Sequence, residues 1–90
     1  MIRKGKLENG FEFEIDDEVL DDMELIDTLA EADGGDALAA SRAFSMVVGK
    51  EQKKRLYDYI RNEDGRVPIE TAVNALTEML ETLGDDGKNS

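Results

Sequence analysis

The hydrophobic period of the chain changes near residue 15, and this change limits the possible folds more than any other feature. Apolar and charged residues alternate from Phe11 to Ile15, which is the period of a half-buried strand. From Val19 to Leu83 the apolar residues recur at helical spacing instead, in segments separated by glycines. A chain of 90 residues is long enough for one domain. The sequence therefore predicts an α+β domain that is mostly α. An N-terminal β-hairpin (about residues 2–15) is followed by about four short helices, and residues 1–84 form one compact unit.

The turn of the hairpin is predicted at Asn9-Gly10, a strong signal for a tight connection between strands. We expect a three-residue loop of residues 8–10 with Gly10 in the left-handed conformation, because a two-residue loop would lose two cross-strand ion pairs. Each such pair contributes about 0.2–1 kcal/mol. The apolar face of the hairpin must then pack on the rest of the chain. The expected cross-strand pairs are Leu7–Phe11, Lys6–Glu12, Gly5–Phe13, Lys4–Glu14 and Arg3–Ile15.

Capping and breaking residues divide the remainder into four predicted helices. The first begins at Asp16 or Asp17 and ends near Ala32. The second covers residues 37–48 and ends at Gly49, and the third covers about residues 51–62. The fourth begins at Pro68 and ends at Gly84, which leaves residues 85–90 as a disordered polar tail. The residues expected to face the core are Val19, Met23, Leu25, Ile26, Leu29, Ala30, Leu38, Phe44, Met46, Val47, Val48, Leu56, Tyr59, Ile60, Ile69, Ala72, Val73, Leu76, Met79, Leu80 and Leu83.

Charge is distributed unevenly along the chain. Residues 8–36 contain thirteen acidic residues and no Lys or Arg, whereas residues 50–66 contain six basic and four acidic residues. The net charge of −11 repels nucleic acid and anionic membranes and attracts basic partners. The carboxylates of the first helix form either a solvated face or an imitation of DNA phosphates. The basic run Lys53-Lys54-Arg55 pairs with these carboxylates either within the domain or in a neighbouring subunit.

The composition also excludes most catalytic mechanisms. The chain has no His and no Cys, so the commonest general bases, nucleophiles and zinc ligands are missing. Residues 60–71 resemble a calcium-binding loop, but Ile60 and Thr71 would occupy its first and twelfth positions, where carboxylates are required. We expect a protein that is not an enzyme, binds no metal and no cofactor, does not span a membrane and is located in the cytoplasm.

Three segments resemble a known family. They are Asn9–Ile15, Asp22–Ile26 and Leu56–Pro68. They are similar to small proteins encoded in the tail-morphogenesis region of long-tailed bacteriophages and prophages, the tail assembly chaperones. The resemblance implies a helical, non-catalytic protein that binds the tape measure protein and helps recruit tail tube subunits.

The residues predicted to bind this partner are exposed members of the first and fourth helices. The partner is expected to be a protein rather than nucleic acid or membrane. The alternative function is an acidic inhibitor or DNA mimic that occupies a nucleic-acid-binding partner. The candidate contact residues are Asp17, Asp21, Glu24 and Glu31 on the first helix, with Met79 and Leu83 on the fourth.

Overall fold

The computed structural model describes residues 1–88, with side chains described for residues 1–83. A two-stranded antiparallel hairpin is followed by three α-helices, so the predicted α+β class is confirmed, with one helix fewer than the expected four. Within the described residues, no helix is long and apolar enough to cross a bilayer. The elements are β1 (Ile2–Lys6), β2 (Glu12–Asp16), a 3₁₀ helix (Asp17–Leu20), α1 (Met23–Asp33), α2 (Ala37–Ile60) and α3 (Ile69–Lys88).

The hairpin has the predicted register. Lys6 pairs with Glu12 and Lys4 with Glu14 across the strands, and the Lys4 and Glu14 side chains form an ion pair at 3.7 Å. The Gly10 N–H donates to the Leu7 carbonyl at 2.9 Å, and Gly10 has a φ of 97°. The three-residue loop is therefore confirmed.

The predicted first helix is two elements, because two aspartates act as separate caps. The Asp16 carboxylate accepts the Glu18 N–H at the start of the 3₁₀ helix. The Asp22 carboxylate accepts the Glu24 N–H at 2.9 Å and starts α1. A side chain that bonds a nearby backbone N–H competes with helix continuation, so the prediction of one helix up to Ala32 was wrong.

The predicted second and third helices are two arms of α2, which bends at Gly49. This residue has φ 82° and ψ 161°, outside the helical region. The bend was predicted correctly as an interruption, but the arms belong to one element. The Asp36 carboxylate caps its first turn by accepting the N–H groups of Leu38 and Ala39.

The last helix begins beside Pro68 as predicted, and the Pro68 carbonyl accepts the Ala72 N–H at 3.1 Å. The helix continues to Lys88, so Gly84 does not end it and the prediction of its C-terminal cap was wrong. Of the predicted tail, the side chains of residues 85–88 and the whole of residues 89 and 90 lie outside the described residues.

The core lies between the hairpin and the three helices. Phe13 and Ile15 of β2 are almost fully buried, as are Leu25, Phe44 and Leu56 of α1 and α2. Burial of this apolar surface is the main driving force for folding. Six residues predicted to face the core are exposed instead: Met23, Ile26, Ala30, Leu38, Tyr59 and Ile69.

Polar contacts fasten the hairpin to the helices. The Gln52 amide bonds both the N–H and the carbonyl of Glu14, at 2.8 and 2.7 Å, and also the Val48 carbonyl at the bend of α2. The Tyr59 hydroxyl donates to the Asn9 carbonyl at 2.7 Å. On the other side of the loop, the Glu8 N–H donates to the Glu78 carboxylate of α3 at 2.6 Å. The hairpin loop is thereby held between α2 and α3.

Candidate functional site: a groove between α1 and α3

An apolar groove follows α3: its larger part lies between α1 and α3, and its smaller part is lined by α2, α3 and the segment between them. It consists of two adjoining depressions of about 380 and 140 Å³. Both depressions contain Ala40 and Val73, so they form one continuous surface, which we call the groove. Its lining residues are Leu29, Ala32, Asp33, Ala37, Ala40, Ser41, Phe44, Tyr57, Val67, Ile69, Ala72, Val73, Leu76, Thr77, Leu80 and Glu81.

The groove exists because the floor is built from small side chains. Helices α1 and α3 both pack on α2. Ala40 is the α2 residue in the larger depression, and Ala37, Ala40 and Ser41 line the smaller one beside Phe44 and Tyr57. Alanine fills little of the space between two helices whose walls carry larger residues. The sequence therefore leaves a depression along α2 where leucines would have filled it.

The dimensions suit a helical occupant. Along α3 the wall extends from Ile69 to Leu80, twelve residues whose eleven steps of 1.5 Å rise by about 16 Å. This length corresponds to about three turns of a second helix. Helix-binding grooves of this kind receive the apolar face of an amphipathic helix.

Exposed apolar residues extend the wall on α1. Ile26 is 47% exposed and precedes the lining residue Leu29 by one helical turn. Ala30 is also exposed and precedes the lining residue Asp33 by three positions. Residues three or four apart are neighbours on a helix surface, so the apolar wall of α1 continues beyond the groove onto its outer face.

The two ends of the groove differ in charge. One end carries the carboxylates of Asp33 and Glu81. At the other end Tyr57 lines both the groove and a second cleft of about 280 Å³ at the bend of α2. We call this second cleft the basic elbow. It is lined by Ser45, Lys50, Lys53, Lys54, Tyr57, Asp58 and Arg61.

Lys53 holds the basic elbow in shape. Its ammonium group donates to the Ser41 carbonyl at 3.1 Å and to the hydroxyls of Ser41 and Ser45 at 2.9 and 3.1 Å. It also lies 5.7 Å from the centre of the Tyr57 ring, within the range of a cation–π interaction. Lys53 therefore joins the two arms of α2 across the bend.

The four predicted acidic contact residues do not form one stripe. Asp17 lies in the 3₁₀ helix and pairs with the Met1 ammonium and with Arg3, at 3.1 and 3.2 Å. Asp21 is exposed between the 3₁₀ helix and α1, and Glu24 is exposed in the first turn of α1. Glu31 is exposed and forms an ion pair with Arg42 of α2 at 3.0 Å.

The predicted contact residues of α3 are in the core. Met79 is 0% exposed and Leu83 5%, so the expectation that they are exposed was wrong. The apolar stripe of α3 is wide, and its other edge, with Val73 and Leu80, lines the groove. Sequence reasoning missed Ala40 as a site residue, although the three alanines among residues 37–40 were the available signal.

The resolved pKa shifts lie away from the groove. Hydrogen bonds from the Met1 ammonium and Arg3 lower the pKa of Asp17. The Glu18 N–H and the Met1 ammonium lower the pKa of Asp16, and these two carboxylates raise the pKa of the Met1 ammonium. In the described part of the chain, no group of three Asp or Glu residues is placed to hold a metal ion.

Comparisons with known proteins show no relative: no family model, no curated protein and no solved structure matches the chain.

Proposed function

We propose that this protein is a non-catalytic binding module that holds an amphipathic helix of another polypeptide in the groove. The observation that carries the proposal is the continuous apolar surface shared by the two depressions at Ala40 and Val73. Most residues that line it are apolar, and its walls are the preformed helices α1 and α3. Because these walls are formed before binding, this protein loses little further conformational freedom when a helix binds.

The resemblance to tail assembly chaperones supports a specific partner, the tape measure protein of a long-tailed phage or prophage. A long helix-rich protein exposes many apolar stripes before assembly, and a module that covers three turns at a time would bind it repeatedly. The net charge of −11 would keep such a complex soluble. The protein would act in the cytoplasm of the host cell and help recruit tail tube subunits. The order of neighbouring genes tests this identity: a tube protein gene before this one and a very long helical gene after it are expected.

A binding experiment tests the groove directly. The Thr77 side chain is exposed and lines the groove, whereas the Asn74 side chain is exposed on the same helix and lines a different depression. Thr77→Trp places a large ring in the groove, and Asn74→Trp is the matched control. We expect an amphipathic peptide from the tape measure protein to bind Thr77→Trp about tenfold more weakly than wild type, a loss of about 1.4 kcal/mol. Asn74→Trp should bind within about twofold of wild type. Equal binding to both variants, measured by fluorescence polarisation, would contradict the groove as the site.

The acidic inhibitor or DNA mimic is the second candidate function, favoured by the exposed carboxylates of Asp21, Asp22, Glu24 and Asp27. It predicts binding to a nuclease or transcription factor that weakens steeply with salt. Binding in the apolar groove should instead weaken only slightly with salt. The slope of affinity against salt concentration therefore separates the two functions.

A further inference from the structure

The basic elbow lies beside one end of the groove, outside the apolar surface that would hold the bound helix. Tyr57 lines both surfaces, so the elbow adjoins the Ile69 end of the groove. Within the described residues, Arg61 is paired with Asp58 at 2.8 Å and Lys53 is bonded to the serines. The described residues provide no ion-pair partner for Lys50 or Lys54, and both are exposed.

Position in the helix explains this concentration of charge. Lys50 and Lys54 are four residues apart, and so are Lys54 and Asp58, which places them on one face of the second arm of α2. Glu31 of α1 does not neutralise this face, since it pairs with Arg42 of the first arm. The elbow is therefore a local positive surface on a strongly acidic protein.

We infer that the groove selects a helix with unlike charges at its two ends. Cationic side chains of the bound helix lie beside Asp33 and Glu81, and anionic side chains lie in the basic elbow beside Lys50 and Lys54. The inference rests on the proposed function, because it specifies which amphipathic helices the groove accepts. Charged ends fix the register and direction of a bound helix more than they raise its affinity.

Three peptides with the same leucine stripe test the inference. The first has lysines at one end and glutamates at the other, the second has lysines at both ends, and the third has glutamates at both ends. They are titrated into the full chain at physiological salt. We expect the first to bind about fivefold more tightly than either of the others, since exposed ion pairs contribute modestly. The preference should shrink at high salt.

Two matched variants test whether the elbow lysines cause the preference for the first peptide. Lys50→Gln with Lys54→Gln removes two exposed charges from the elbow, and Lys4→Gln with Lys6→Gln removes two from the hairpin. The elbow variant should lose the preference for the first peptide, and the hairpin variant should keep it. Circular dichroism confirms that both variants are folded.

Three other outcomes would contradict the inference. If the all-lysine peptide binds wild type as tightly as the first peptide, the inference is wrong and the groove remains the site. If none of the peptides binds, the proposed function is wrong as well. If the chain alone forms dimers in sedimentation experiments, and the elbow variant dissolves them, a second copy occupies the elbow and the inference is overturned.

Discussion

Replacement of Gly5 by alanine should destabilise the hairpin, because the Phe13 ring occupies the space of the missing side chain. The two residues are cross-strand partners. A Cβ atom at Gly5 would lie 2.9 Å from Phe13 Cε1 and 3.1 Å from Cε2, and closer still to Cζ. Phe13 is 2% exposed, so the core prevents the ring from moving away.

The magnitude follows from two opposing effects. Overpacking of a core costs about 1–3 kcal/mol. Alanine also restricts the backbone of the unfolded chain more than glycine does, which stabilises the folded state by about 0.4–1 kcal/mol. The net loss should be about 1–2 kcal/mol, which for a domain of this size lowers Tm by about 4–16 °C. Since small domains have little stability in reserve, this change is large.

Thermal and urea denaturation followed by circular dichroism measure the effect, with Phe13→Leu as the second mutation of a cycle. Phe13→Leu alone should destabilise the protein by leaving a cavity. In that background Gly5→Ala should cost at least about 1 kcal/mol less than in wild type, because the ring is gone. A neutral Gly5→Ala variant would refute the reasoning, and so would an equal cost in both backgrounds.

Three further substitutions test other contacts. Gln52→Ala should lower the free energy of unfolding by about 1–2 kcal/mol and speed amide exchange at Glu14, since three hydrogen bonds are lost; Lys54→Ala in the same arm should change it by less than about 0.5 kcal/mol. Asp17→Asn should lower stability at neutral pH. The lowered pKa of Asp17 provides stability that is complete above its unfolded value of 3.8 and is lost as pH falls through the folded pKa, so urea midpoints of variant and wild type should converge in acid. Gly49→Ala should cost about 1–3 kcal/mol in urea unfolding, because its φ of 82° and ψ of 161° lie in a region that only glycine adopts readily, whereas D-alanine at this position, introduced by chemical synthesis, should be tolerated.

The hairpin was predictable because its signals are local. Asn9-Gly10 determines the turn, and the charges that face each other across the strands distinguish one register from another. The bend of α2 at Gly49 was also predictable from a local signal. Glycine adopts a positive φ readily, so a glycine within a helical pattern is a predicted point of interruption.

The first helix was mispredicted because its sequence is apolar on two faces. Leu25 and Leu29 face inward, whereas Met23 and Ile26 face outward, and helical periodicity fits either choice. Its start was ambiguous as well, since Asp16 and Asp22 are both effective caps. Only packing against α2 decides between these alternatives.

The groove was beyond sequence reasoning because its walls come from distant segments. Leu29 and Leu80 line the same depression, although some fifty residues separate them in the chain. The stripe of α3 was correctly predicted to be apolar. Which edge of it is buried depends on where α2 and β1 lie, because α3 packs on these elements.

The position of the hairpin loop has a consequence for biosynthesis. The Glu8 amide is bonded to a side chain 70 residues later, and Tyr59 reaches the loop from 50 residues away. Since the ribosome makes the strands first, Phe11 and Phe13 emerge long before the helices that cover them. A nascent chain that stalls before α2, whose Tyr59 ring packs against Phe11, would expose an uncovered aromatic surface, a state prone to aggregation. Synthesis of α2 is therefore the step after which these aromatic residues can be buried.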